Sequence, residues 1–170
     1  AEGDVDKAVK ILREKGLSAA AKRSDREVKE GQIFSYIHPG AQIGVMVEIN
    51  CETDFVARTD DFQELGKDVA MQVAATAPVA LTRDELDSEV VEKEKDIFRN
   101  QALKAGKPEN IVDKIIEGKM EKFFSEVCLI EQPFIKDDKK TVEDLVKSAI
   151  GKIGENIEIN RFARFEIGAD

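Results

Sequence analysis

Asn50-Cys51-Glu52-Thr53-Asp54-Phe55-Val56 is the stretch on which the reading of this chain turns. Upstream of it, Val45, Val47 and Ile49 alternate with Met46, Glu48 and Asn50. That is the period of a strand with one buried face. Downstream, Phe62, Leu65, Val69 and Val73 recur at steps of three or four, the period of a helix with one apolar stripe. The stretch is therefore a strand-to-helix corner, and such corners lie at the surface. Phe55 stands there beside an acidic residue. A bulky apolar side chain in that position either tucks into the core or waits for a partner. Periodicity alone favours the tucked state, because most apolar side chains at element ends are packed.

Working back toward the N-terminus, residues 28–37 read as a first strand, with Phe34 and Tyr36 on one face and Ile33 and Ile37 on the other. His38-Pro39-Gly40-Ala41 carries turn chemistry, since proline presets φ and glycine supplies a positive one. Two strands around one such turn make an antiparallel hairpin. Further back, residues 4–15 read as the end of a helix with Val5, Ala8, Val9 and Leu12 as its stripe and Gly16 as its C-terminal cap. Residues 17–26 are small and basic, and read as a solvated linker or a short helix.

Working forward, Asp60-Asp61-Phe62-Gln63 has the form of a capping box, and Pro78 stops the helix it opens. Thr82-Arg83-Asp84-Glu85 has the same form and opens a charged helix with Leu86, Val90, Ile97 and Phe98 inward. Its many Glu and Lys residues are a solvated face. Gly106-Lys107-Pro108 separates it from a further helix, on which Ile111, Ile115, Ile116, Met120 and Phe123 are buried. Gln132-Pro133-Phe134 breaks the helical run. Thr141-Val142-Glu143-Asp144 starts a last helix, which ends at Gly154. The final segment alternates again: Ile157, Ile159, Ala163, Phe165 and Ile167 share one face, with Arg161 as the only break. The sum is an α+β fold, a small three-stranded antiparallel sheet packed on one face against several helices. The other face is then partly uncovered, with Phe34, Tyr36 and Phe162 expected on it, and such a patch marks an interface.

The 170 residues hold 26 Lys plus Arg against 35 Asp plus Glu, a net charge of −9. That balance argues against a surface that coats phosphates. No apolar run approaches the ~20 residues of a membrane helix, and the start has no signal-peptide pattern. Two cysteines, Cys51 and Cys128, are too few for a disulfide framework. Their apolar contexts predict buried free thiols. His38 is the only histidine. With no companion at ligand spacing it reads as a turn residue or a contact to a partner rather than a metal ligand. There is no glycine-rich phosphate loop and no nucleophile elbow. The residues point to a binding module rather than an enzyme, with no catalytic residue and no cofactor.

Beyond these patterns, Asn50-Cys51-Glu52-Thr53-Asp54-Phe55-Val56-Ala57-Arg58 resembles the signature of the elongation factor Ts family. Tyr36-Ile37-His38-Pro39-Gly40, running on to Ile43-Gly44-Val45, resembles that family's hairpin. Gln101-Ala102 and Gly106-Lys107-Pro108-Glu109-Asn110-Ile111-Val112 resemble its helix-to-helix link. Phe123, Glu126, Cys128 and Gln132-Pro133-Phe134 resemble the segment that follows, and Gly3-Asp4-Val5-Asp6-Lys7-Ala8 the last helix of its N-terminal domain.

The resemblance implies a guanine-nucleotide exchange factor for the translation GTPase EF-Tu, met in its GDP-bound and nucleotide-free states. It implies that Asp54 and Phe55 enter near the Mg-GDP site, flanked by Thr53 and Val56, and that His38 touches another part of EF-Tu. It implies residues 1–26 as a remnant of an N-terminal helical domain with its linker, and 27–170 as a core and dimerisation domain. With one hairpin and one such corner, the chain resembles the family's short form, for which a homodimer is implied. Bacterial cytoplasm, chloroplast stroma and mitochondrial matrix all suit it, with no membrane and no direct nucleic acid. The alternatives from other classes are a ribosome- or nucleic-acid-associated module using the basic residues 19–26 and, remotely, a hydrolase using Cys51.

Overall fold

The computed structural model describes residues 7, 10, 11, 14, 16, 18, 20 and 21–169. The expected stripe of Val5, Ala8, Val9 and Leu12 lies outside the described residues. The elements are β1 (Glu30–Ile37), β2 (Ile43–Cys51), α1 (Asp54–Ala57), α2 (Asp60–Thr76), α3 (Ser88–Lys104), α4 (Glu109–Val127), β3 (Pro133–Phe134), β4 (Asp137–Thr141), α5 (Val142–Ile153) and β5 (Ile157–Glu166). They form two compact units. One comprises the described residues up to Ala77 together with those from Pro133 onward; the other is Pro78–Gln132.

In the first unit the sheet order is β1-β2-β5, antiparallel throughout. This is the three-stranded sheet expected from the alternating segments. Val45, Val47, Ile49 and Phe34 line its inner face, and Phe62, Leu65, Val69 and Val73 of α2 meet them, all buried. The approach is close because α2 carries Gly66 opposite the Phe34 ring, where a side chain would overlap it. Val142, Val146 and Ile150 of α5 complete this core. Gln72, fully buried, donates to the Pro133 carbonyl at 3.1 Å and accepts from the Ile135 N–H at 2.9 Å. It thereby pins the short β3–β4 ribbon, whose Asp-Asp-Lys-Lys-Thr strand has no apolar alternation to announce it.

The open face differs from expectation. β5 pairs Arg161 with Glu48 and Ile159 with Ile49, so Asn160 is an extra residue in a β-bulge. A bulge of one residue inverts every side chain beyond it. Phe162 therefore pairs with the buried Val47 and turns inward, while Phe165 and Ile167 are 66% and 74% exposed. Glu48 holds the bulge by accepting from Asn160 Nδ2 at 2.9 Å and Arg161 Nε at 2.7 Å. Those bonds, Arg161's first, lower its carboxyl below the usual range. Phe34 is likewise buried rather than on the open face, which instead carries Ile33, Ile37, Met46 and Phe165.

The helix starts also move. Thr59, not Asp60, caps α2, its hydroxyl accepting from the Phe62 N–H, and Gln63 Nε2 reaches the Ala57 carbonyl instead of closing a box. Thr82 makes no cap. It precedes a single 3-10 turn, and α3 begins later, under Asp87. The Thr141–Asp144 box is present in full. Gly16 is helical rather than a cap, and so are Ser18, Ala20 and Ala21, which replaces the linker reading there. Gly16 meets Gly151 of α5 so closely that a Cβ on Gly151 would lie 2.8 Å from the Gly16 Cα.

The second unit is a helical pair. Ala102 of α3 packs with Val112, Ile116 and Met120 of α4, and Val91, Phe98, Ile115, Phe123 and Phe124 surround them. Val90 and Ile97, expected inward, are exposed, a rotation of about one residue. Cys51 and Cys128 are both free and buried, each in its own unit. Among the described residues no helix is long and apolar enough to cross a membrane, and no group of His, Cys, Asp or Glu could hold a metal ion.

Candidate functional site: an exposed aromatic on a strand-to-helix corner

β2 ends at Cys51 and the chain turns into α1, a single helical turn, before a second turn leads into α2. A helix of four residues cannot sustain itself by propagation. Its shape is imposed by its ends. Thr53 is the N-cap, in an extended conformation, with its Oγ1 accepting from the Val56 N–H at 3.4 Å. Thr59 closes the other end, its hydroxyl donating to the Val56 carbonyl at 2.8 Å. Ala57 is buried, so the turn presses one side onto the core and lifts the other.

Phe55 is on the lifted side, 77% exposed. The tucked state that periodicity favoured is not the one adopted. Asp54 precedes it and bonds Arg58 Nη2 at 2.6 Å across one helical turn. Val56 is half-buried. The corner thus offers an apolar ring beside a carboxylate whose orientation is held by a guanidinium.

Three further residues fasten the corner to the segment after α5. Glu155 accepts the Thr53 N–H at 3.0 Å with one carboxylate oxygen and the Thr53 hydroxyl at 2.7 Å with the other. Glu52 accepts the Asn156 N–H at 2.6 Å. Buried Asn156 in turn donates from its amide to the Arg26 carbonyl at 2.9 Å. Burial pushes the Cys51 thiol up to about 11, with the Glu155 charge adding to the shift. The thiol donates to the Thr53 carbonyl at 3.2 Å. A thiol held protonated is no nucleophile, which removes the support for a Cys51 hydrolase.

His38 is elsewhere. It follows β1 at the hairpin turn, its N–H donating to the Ile43 carbonyl at 2.9 Å, with its ring 3.1 Å from the Tyr36 hydroxyl. The corner lies at the opposite end of β2, nine residues along, or about 26 Å at the rise of a strand. Thr53, Asp54, Phe55 and Val56 are brought together; His38 is not brought to them.

Sequence spacing could have found Arg58, which stands four residues after Asp54 as helical ion pairs do. Nothing in the spacing announces Glu155, which is 102 positions from Thr53.

Comparison with known proteins decides the family. The family model described as elongation factor TS matches residues 2–169. The chain belongs to the elongation factor Ts family. It is 58% identical to elongation factor Ts of Heliobacterium modesticaldum over 98% of this chain and 78% of that protein. It is 58% identical to elongation factor Ts of Carboxydothermus hydrogenoformans over 99% of this chain and 77% of the relative. With elongation factor Ts of Fervidobacterium nodosum it shares 54% identity, over 99% and 85% of the two chains. Membership in the elongation factor Ts family gives the chain a role in translation elongation. It also favours that role over the ribosome- or nucleic-acid-associated alternative.

Proposed function

We propose that this chain is a guanine-nucleotide exchange factor for EF-Tu, and that the Asp54–Phe55 corner is the part that enters near the Mg-GDP site. The observation that carries the reading is the exposure of Phe55 on a turn capped by Thr53, which Glu155 holds at both its N–H and its hydroxyl. An exchange factor must bind the nucleotide-poor conformation of its GTPase more tightly than the loaded one, since a ligand shifts an equilibrium only by its differential affinity. By linkage GDP then weakens the factor by the same ratio. A ring held out on a rigid corner suits this task, because it can displace packing in the GTPase without first unfolding its own support. Asp54, oriented by Arg58, supplies the polar contact that sets the angle of entry. Thr53 and Val56 shape the turn. His38, about 26 Å away along the strand, gives a second and separate point of attachment. No bond is made or broken by this protein in the process.

The open sheet face supports a second copy of the same chain as an additional partner. Ile33, Ile37, Met46 and Phe165 stand exposed on the same face of the three strands, with the exposed Ile167 just beyond the end of β5. A patch of that kind on one face of a sheet can be covered isologously.

The test is release of fluorescent GDP from EF-Tu. The native chain accelerates it; Phe55→Ala loses about 2 kcal/mol or more of that effect, as a central aromatic anchor does. Because Phe55 is exposed, the same variant keeps its folding stability within ~0.5 kcal/mol. A Phe55→Ala chain that unfolds, or that still exchanges at the native rate, overturns the reading.

A further inference from the structure

We propose that Glu155 is a positioning residue for the corner: it fixes the direction in which Asp54 and Phe55 project by holding both the N–H and the hydroxyl of Thr53. The proposal rests on the reading of that corner as the inserting element. Glu155 arrives from a distant part of the chain because α5 stops just before it, at Gly154, whose φ of 91° lets the backbone turn back. Its planar carboxylate then spans one residue, at 3.0 Å to the Thr53 N–H and 2.7 Å to the Thr53 hydroxyl. Two bonds from one rigid group restrict the backbone and χ1 of Thr53 together.

The consequence passes on through the hydroxyl. Its single hydrogen points at Glu155, so a lone pair is left facing the Val56 N–H. The cap that defines the first turn of α1 is therefore set by Glu155. One residue further out on each strand of this crossing, Glu52 accepts from the Asn156 N–H. The corner and the segment 154–156 are thus cross-linked in two successive rungs. Phe55 itself is exposed, so only its backbone can aim it. Whatever fixes α1 fixes the ring.

A purely structural Glu155 would alter stability and nothing specific to Phe55, so the experiment crosses the two sites. Glu155→Ala, Glu155→Gln, Phe55→Ala and the double variants are compared in release of fluorescent GDP from EF-Tu. Amide hydrogen exchange is followed at Thr53 and Val56. Glu155→Ala is expected to slow release about tenfold, the scale on which a lost supporting contact weakens the group it orients. In the Phe55→Ala background the same change is expected to act by less than about twofold, the limit of additivity for independent sites. The Thr53 and Val56 amides exchange faster while α2 stays protected. Glu155→Gln, which keeps one acceptor, falls between. An unchanged release rate with Glu155→Ala overturns the proposal, as does an equal slowing with and without Phe55. If Phe55→Ala alone leaves release unchanged, the inserting role fails and positioning falls with it, a pattern distinct from the first two. Should Glu155→Ala fail to fold, Glu155→Gln and Thr53→Val carry the same cycle.

Discussion

Gly66 on α2 faces the ring of Phe34 on β1 with no room for a side chain between them. The glycine is helical, a state in which alanine has the better intrinsic propensity by about 1 kcal/mol. Packing reverses that preference. Phe34 is buried and also meets Phe62, with ring centroids 5.8 Å apart, so it cannot swing away. Gly66→Ala is expected to destabilise the chain by ~1–3 kcal/mol, the usual cost of overpacking. Denaturant titration measures it; a stabilised variant would show that the sheet and α2 can separate at no cost.

The open sheet face predicts its own readout. Sedimentation at micromolar concentration is expected to show self-association, and Phe165→Glu to abolish it by burying a charge with no partner. Phe165 lies on the outer side of the bulge and is 66% exposed, so the substitution leaves the fold intact. Phe162→Glu is expected instead to unfold the chain, since that residue turns inward. Equal behaviour of the two would contradict the inverted register.

Cys51 sets an alkaline limit. Burial raises its thiol to about 11 in the folded chain, above the ordinary value of ~8.5 for an unfolded one. The folded state thus holds the proton more tightly. Its contribution is complete below about pH 8.5 and is lost as pH climbs toward about 11. Thermal melts across that range are expected to fall and to flatten in Cys51→Ala, which itself loses about 1–2 kcal/mol at neutral pH from the vacated volume. Iodoacetamide at neutral pH is expected to leave the thiol of the folded chain unmodified.

In the helical unit, Arg83 reaches Glu131 at 2.6 Å and Glu121 at 2.7 Å while its guanidinium lies 4.2 Å from the centre of the Phe124 ring. Arg83→Lys keeps the charge but loses the fork and the stacking, and about 1 kcal/mol is expected to go with the ring contact alone. Glu121 is held below the usual carboxylate range by that hydrogen bond. Its pairing therefore stabilises the fold above the unfolded value of ~4.3 and is lost as pH falls through the folded one. A titration by carbon-detected NMR that finds Glu121 at its ordinary value would contradict the pairing.

Much of this was legible from periodicity. The hairpin, the buried stripe of α2 and the Thr141–Asp144 box all follow from local spacing, because each depends on neighbours in sequence. Features that depend on a distant partner were not. Asn160 bulges because Glu48, on another strand, takes both it and Arg161; the only local sign was Arg161 standing on an apolar face. The start of α2 was read at the Asp60–Gln63 box, but the helix begins at Asp60 itself, so the cap falls to Thr59 one residue earlier. In α3 the apolar residues are too sparse among Glu and Lys to fix the phase, so Val91 rather than Val90 turned inward. At the candidate site, periodicity suggested a packed Phe55, and only the resemblance of residues 50–58 to a known signature pointed outward. The support that Glu155 lends from the end of α5 had no local trace.

The strand order has a consequence for the birth of the molecule. β2 is the central strand, yet its second neighbour, β5, begins at Ile157, 106 residues after Cys51 (157 − 51). At the ~5–20 residues per second of protein synthesis, that interval lasts about 5–20 s. Throughout it a nascent hairpin waits with one edge of its middle strand unpaired, and Thr53 waits for a carboxylate not yet made. The corner can therefore be capped locally at first, and is fastened only once Glu155, 102 positions after Thr53, has been added.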